Sequence, residues 1–150
     1  MRKRDTVLYE LTGTTDKKIS IWGSNNSADV GQAFYIRANN VTLNGGIENS
    51  PVKMVLDVPD GTKNTIKKIT ANDLTVKGSG TLNAEIMSVT QKTSYMPSAL
   101  HIQDTTIIVN NPAGTSGEWN GPCVLSGTAN VTYTGNGTYA SLQVGLKSDD

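Results

Sequence analysis

The sequence predicts an all-β chain wound as a right-handed parallel β-helix in a single domain. Three observations point there. Apolar and polar residues alternate over short runs with no helical periodicity, Thr, Asn, Ser and Gly are abundant, and one self-similar segment recurs along the chain. A chain of 150 residues can bury one continuous core but not two independent ones. With 15 glycines and only 17% charged residues, it is poor in helix formers and rich in strand and turn formers.

Taken in order, residues 1–6 read as a flexible arm. The basic start Met1-Arg-Lys-Arg-Asp5 is followed by no apolar stretch, so it is not read as a signal peptide, and no membrane span is seen. Val7–Leu11 and Ile19–Ile21 are the opening strands. The recurring segment comes next, as Tyr35–Asn44, Lys68–Lys77 and His101–Asn110. Its apolar positions are Ile36, Val41 and Leu43, then Ile69, Leu74 and Val76, then Ile102, Ile107 and Val109, and one constant interval separates each set from the next without a slip. The final two apolar residues of each set flank one polar residue, the period of a strand with one face turned inward, and a polar turn precedes them.

Between the first two copies, Val52–Val58 adds a strand that ends at the turn Pro59-Asp60-Gly61. A looser fourth copy, Val124–Tyr133, keeps the alternating pair Val131 and Tyr133, but Val131 follows Ile107 at a shorter interval. Residues 145–150 read as a polar tail. Helical ankyrin units have a similar period, but Thr-, Asn- and Gly-rich units without helical periodicity do not fit them. No such unit buries its apolar face alone, and stacking joins the inward residues into one column, each side chain contributing about 1.5–3 kcal/mol.

The run Ile69-Thr-Ala-Asn-Asp-Leu-Thr-Val-Lys-Gly-Ser-Gly-Thr-Leu82 resembles a coil of the parallel β-helix carbohydrate-binding domains found in bacterial, chiefly Firmicutes, surface proteins. Val55–Thr65 is similar to the segment that precedes that coil, and Tyr9–Gly13 with Lys18–Ile21 to the opening strands. The likeness covers roughly residues 7–135. It departs at Asn110-Asn111-Pro112, where the family often carries Gly-Gly.

Charge excludes some functions. Thirteen basic residues balance 13 acidic ones without a long run of either sign, so neither a nucleic acid nor an anionic membrane is an expected partner. Catalysis is not expected either. A lyase of this shape needs clustered acids and a nearby base, yet the arginines are Arg2, Arg4 and Arg37, and no acidic cluster accompanies Arg37. His101 precedes Asp104 closely, but spacing alone does not make a catalytic triad, and a solvent-facing structural role is expected for it. Gly78-Ser-Gly80 reads as a corner, because the Lys and Ser/Thr of a phosphate loop do not follow. No cofactor is expected. Asp57 and Asp60 are the candidate calcium ligands, although an Asp-Gly turn explains Asp60 without a metal. The lone Cys123 reads as a small buried residue.

Trp119 lies in a polar loop, Ala113–Pro122, where an aromatic ring either stacks on a sugar or folds back to cap the coil below. Tyr95, in the loop Gln91–Pro97, joins it as a candidate, with Glu118 and Asn120 as flanking polar groups; Trp22 reads as an end cap. The resemblance implies a non-catalytic module that binds a polysaccharide or cell-wall glycan, outside the cell or at its surface. The alternative is a structural protein, such as a virion decoration, fibre or surface-layer component, in which exposed solenoid edges favour a homo-oligomer. A polysaccharide lyase is a distant third.

Overall fold

A computed structural model describes residues 8–22, 33–50, 53–90, 99–119, 122–139 and 143–146. Among them there is no helix, and every strand pairing is parallel. The opening coil is β1 (Leu8–Thr15) and β2 (Ile19–Trp22), and the next is β3 (Ala33–Leu43) and β4 (Ile47–Ser50). Three-strand coils follow: β5 (Lys53–Asp57), β6 (Lys63–Ile66) and β7 (Lys68–Ala71), then β8 (Asp73–Lys77), β9 (Thr81–Ala84) and β10 (Ile86–Val89). Next come β11 (Ala99–Gln103), β12 (Thr106–Asn111) and β13 (Ser116–Gly117), then β14 (Pro122–Ser126), β15 (Asn130–Gly135) and β16 (Thr138–Tyr139), and finally β17 (Gln143–Leu146). The last strand takes in residues 145 and 146, which the sequence assigns to a tail.

Stacking these coils makes a three-faced parallel β-helix. The first face runs from β3 through β5, β8, β11 and β14 to β17, and the second from β3 through β6, β9 and β12 to β15. The long strand β3 spans both and joins them into one sheet. The third face is the sheet β2, β4, β7 and β10, extended by a pairing of Val89 with Trp119.

The constant recurrence is genuine in sequence but is not the coil repeat. Ile36 stacks on Leu56, Leu56 on Val76 and Val76 on Ile102. The first two of these coil steps are equal and the third is longer, and all are shorter than the recurrence interval from Ile36 to Ile69. The first and third copies each span the corner from first to second face. The middle copy spans a different corner, because Ile69 pairs with Ile47 and Met87 on the third face while Leu74 and Val76 belong to the first. A three-sided coil presents the same strand, corner, strand grammar at more than one corner, which is how an out-of-phase copy arises. The shorter step to the fourth copy is a true coil step, with Val131 on Ile107 and Tyr133 on Val109.

Inward residues are nearly all aliphatic. Met54, Leu74 and Leu100 form one buried column, Leu56, Val76 and Ile102 a second, and Ile47, Ile69 and Met87 a third. The polar side chains admitted to the interior are satisfied there. Asn64 Oδ1 accepts from the Val41 N–H at 3.0 Å, its Nδ2 donates to Thr62 Oγ1, and Thr105 Oγ1 donates to the Gly78 carbonyl at 2.6 Å. At two corners of the first face, Asn40 and Asp104 take positive φ, 54° and 62°, and each side chain accepts a hydrogen bond from the next coil, from Lys63 N–H and Thr128 N–H. Gly78, at φ 94°, is required because a Cβ there would collide with the Val58 carbonyl. The Gly78-Ser-Gly80 run is therefore the corner that the sequence predicts.

Candidate functional site

Trp119 is buried, 3% exposed, and its indole N–H donates to the Met87 carbonyl at 2.7 Å. The expectation of a sugar-stacking ring is thus overturned in favour of the cap. The physical reason is alternation: Gly117 and Trp119 face inward with Glu118 outward, so this part of the polar loop is the next rung of the third face. Glu118 is exposed, and its backbone N–H donates to Ser88 Oγ at 3.3 Å. Tyr95 and Asn120 lie outside the residues whose side chains the structure describes, as does the side chain of Trp22.

The two candidate calcium ligands are engaged separately. Asp57 Oδ2 accepts from Arg37 Nε at 3.2 Å, while Asp60 Oδ1 accepts from Ser79 Oγ at the turn. Among the described residues no group of three or more His, Cys, Asp or Glu side chains is placed to hold a metal ion. Asp104 is turned toward Thr128 and serves that corner. His101 looks outward beside Thr75 on the first face, where Asp73 on the neighbouring column feels its charge. Burial raises the Asp73 carboxyl above its ordinary 3.8, against the opposing pull of Lys53 and His101. Burial likewise pushes the Cys123 thiol up to about 11, so it is a packed, unreactive group.

The outer surfaces differ in character. On the first face, Glu10, Arg37, Asp57, Lys77 and Gln103 stand on successive rungs. The charges alternate, and Arg37 is paired with both Glu10 and Asp57. The second face presents Thr14, Thr42, Thr65, Asn83, Ile108 and Thr132 in register. On the third face, Ser20, Glu48, Thr70 and Ser88 form one polar column, with steps of about 4.8 Å between rungs.

One residue ahead of the stacked Ile19, Ile47 and Ile69 stand Lys18, Gly46 and Lys68. Gly46, at φ 79°, is pressed against the Lys68 carbonyl, which leaves no room for a side chain, so none stands between the two lysines. The result is a notch of about 220 Å³ lined by Lys18, Gly45, Ile47, Glu48, Lys68 and Thr70. Lys18 Nζ lies 2.9 Å from Glu48 Oε2, which holds the carboxylate at the notch wall. Two lysine ammonium groups, the Thr70 hydroxyl and the Glu48 carboxylate thus stand around one notch, offering hydrogen-bond donors and acceptors side by side.

Sequence reasoning missed this notch, since its residues come from three coils that the constant recurrence does not align. The usable signal is the shorter step from Ile47 to Ile69, which puts Gly46 in line with Lys68. No family model, curated protein or solved structure matches the chain.

Proposed function

We propose that the domain is a non-catalytic polysaccharide-binding module of a surface or secreted protein, with the glycan lying along the third face. The observation that carries this reading is the notch between Lys18 and Lys68, continued by the polar column Ser20, Glu48, Thr70 and Ser88. A polymer with repeating hydroxyls is matched by side chains that repeat with the coil, and Glu118, beside Ser88, extends the same track. Lysine and threonine donate to sugar oxygens, and the glutamate accepts from sugar hydroxyls. Trp119 contributes from beneath by fixing the rung that carries Glu118. Since Asp57 and Asp60 are occupied by Arg37 and Ser79, binding is expected to be independent of calcium.

The test is retention on an array of bacterial and plant polysaccharides, with and without calcium. Lys68→Ala and the notch-filling Thr70→Tyr are each expected to weaken retention about tenfold while leaving the circular dichroism spectrum unchanged. Undiminished retention in both variants, or no retention of the folded wild type on any polysaccharide, would overturn the reading. A second reading, a scaffold or assembly protein, is favoured by the apolar side chains around the first coil, where Tyr9 is 55% exposed.

A further inference from the structure

Stacking brings the doubled lysines and the doubled glycine of this chain into one column. The sequence has two Lys-Lys pairs, Lys17-Lys18 and Lys67-Lys68, and one Gly-Gly pair, Gly45-Gly46. Each pair directly precedes an isoleucine of the third face, and those isoleucines, Ile19, Ile47 and Ile69, lie one above another. Lysine pair, glycine pair and lysine pair therefore occupy three successive rungs where the second face turns into the third. The two lysine pairs stand two rungs, about 9–10 Å, apart along the axis. The middle rung is bare of necessity: a Cβ on Gly45 would collide with the backbone of Lys17, and one on Gly46 with the Lys68 carbonyl.

The charges at this corner are unbalanced in a way that those of the first face are not. There Glu10, Arg37, Asp57 and Lys77 alternate in sign from rung to rung, and Arg37 pairs with the acid on either side. At the corner, the rung between two cationic rungs carries no side chain where that pattern would set an acid. The nearby carboxylates are engaged or lie past the gap. Asp16 Oδ1 accepts from Asn44 Nδ2 at 2.7 Å, Glu48 is held by Lys18, and Glu85 stands on the rung beyond Lys67. Among the described residues Lys17, Lys67 and Lys68 form no ion pair. The notch of about 220 Å³ opens on the bare rung, with Lys18 and Lys68 in its wall and Lys17 and Lys67 one position behind them.

We propose that this corner binds a tetrahedral oxyanion, the sulfate or phosphate ester group of a glycan, a proposal that rests on the polysaccharide reading and names the chemistry of its ligand. The anion takes the place of the acid that the middle rung omits. Lysine chemistry selects the class. An ammonium carries three donors on a flexible stem and meets an anion as a point charge, so several of them surround the oxygens of a tetrahedral group from different sides. A planar carboxylate is matched best by the fixed fork of arginine, and the arginine among the described residues, Arg37, is on the first face and already paired. Because the whole chain is neutral, the attraction is local to the corner, and added salt screens it.

Isothermal titration of the full chain against four dextrans, unmodified, carboxymethylated, sulfated and phosphorylated to one degree of substitution, tests the proposal. The sulfated or the phosphorylated polymer is expected to bind about tenfold more tightly than the other two dextrans, and the tighter of the two esters identifies the group. Lys17→Gln and Lys67→Gln should each weaken that binding about threefold to fivefold with an unchanged circular dichroism spectrum, and the charge-retaining Lys67→Arg should not. Glu48→Gln, which releases Lys18, should strengthen it about threefold, an effect that misfolding does not imitate. Ester polymers bound no more tightly than the carboxymethylated one, no effect of either lysine variant, or single-stranded DNA bound as tightly as the ester polymer would overturn the proposal. Those outcomes leave the polysaccharide reading intact, since that reading stands or falls on the polysaccharide array and on Lys68→Ala with Thr70→Tyr.

Discussion

Two regions of the solenoid interior are filled differently. In the coil of β11 to β13, a polar side chain and an indole join the aliphatic inward residues. Asn111 is fully buried, its Nδ2 donating to the Glu85 carbonyl and Thr115 Oγ1 while its Oδ1 accepts from Tyr133. Trp119 covers the third face below. In the opening coils the inward residues are apolar, and Leu11, Ile19 and Phe34 are only partly buried, as Leu125, Ala129 and Val131 are in the coil of β14 to β16. A polar side chain is thus admitted to the interior where it hydrogen-bonds to the neighbouring backbone.

The contrast can be broken by measurement. The largest expected effect is at Trp119, whose replacement by Ala should cost about 3–5 kcal/mol in chemical denaturation, through lost packing and the orphaned Met87 carbonyl. Asn111→Ala should cost about 2 kcal/mol, because the Glu85 carbonyl loses its side-chain donor. Leu11→Ala in β1 should cost only about 1 kcal/mol, since Leu11 is only partly buried. If Leu11→Ala proves as damaging as Trp119→Ala, Leu11 is as fully enclosed as Trp119 and the contrast between the two regions fails.

The smallest effect is at Asp73, on the first face between the two regions. Its carboxyl is raised by burial, so the folded state holds the proton more tightly than the unfolded chain, and ionisation costs stability as pH climbs from 3.8 through the raised value. Asp73→Asn should therefore stabilise by less than about 1 kcal/mol at neutral pH, with the gain vanishing below 3.8, where the carboxyl is neutral in both states. Tm measured across pH checks it. A loss of stability at neutral pH would mean that attraction to Lys53 and His101 outweighs burial.

Much of the fold was legible in the residues themselves. Alternation in Asp73–Lys77 and Thr106–Asn111 marked half-buried strands, and Gly78-Ser-Gly80 marked a corner, because both depend on local chemistry. Phase was not legible. Leu74 and Val76 look like counterparts of Val41 and Leu43, yet they stack on Met54 and Leu56, one face away. Nothing local distinguishes one corner of a three-sided coil from another, and only the register does. The site suffered for the same reason. Trp119 drew notice as an aromatic in a polar stretch, when the alternation of Gly117, Glu118 and Trp119 already placed it inward. Lys18, Glu48 and Lys68 drew none, since each is an ordinary surface residue until stacking brings them together.

The coil step carries one more consequence. Ile36, Leu56 and Val76 follow one another at equal intervals on the first face. Excising positions 57–76 would join Leu56 directly to Lys77, which occupies the rung position of Asp57, so every later side chain would keep its inward or outward sense. The protein is in this respect a ruler with removable divisions. Its length, and the number of polar rungs on its third face, can be shortened by one such coil. A cut as long as the interval from Ile36 to Ile69 would instead turn the remaining chain onto the wrong face.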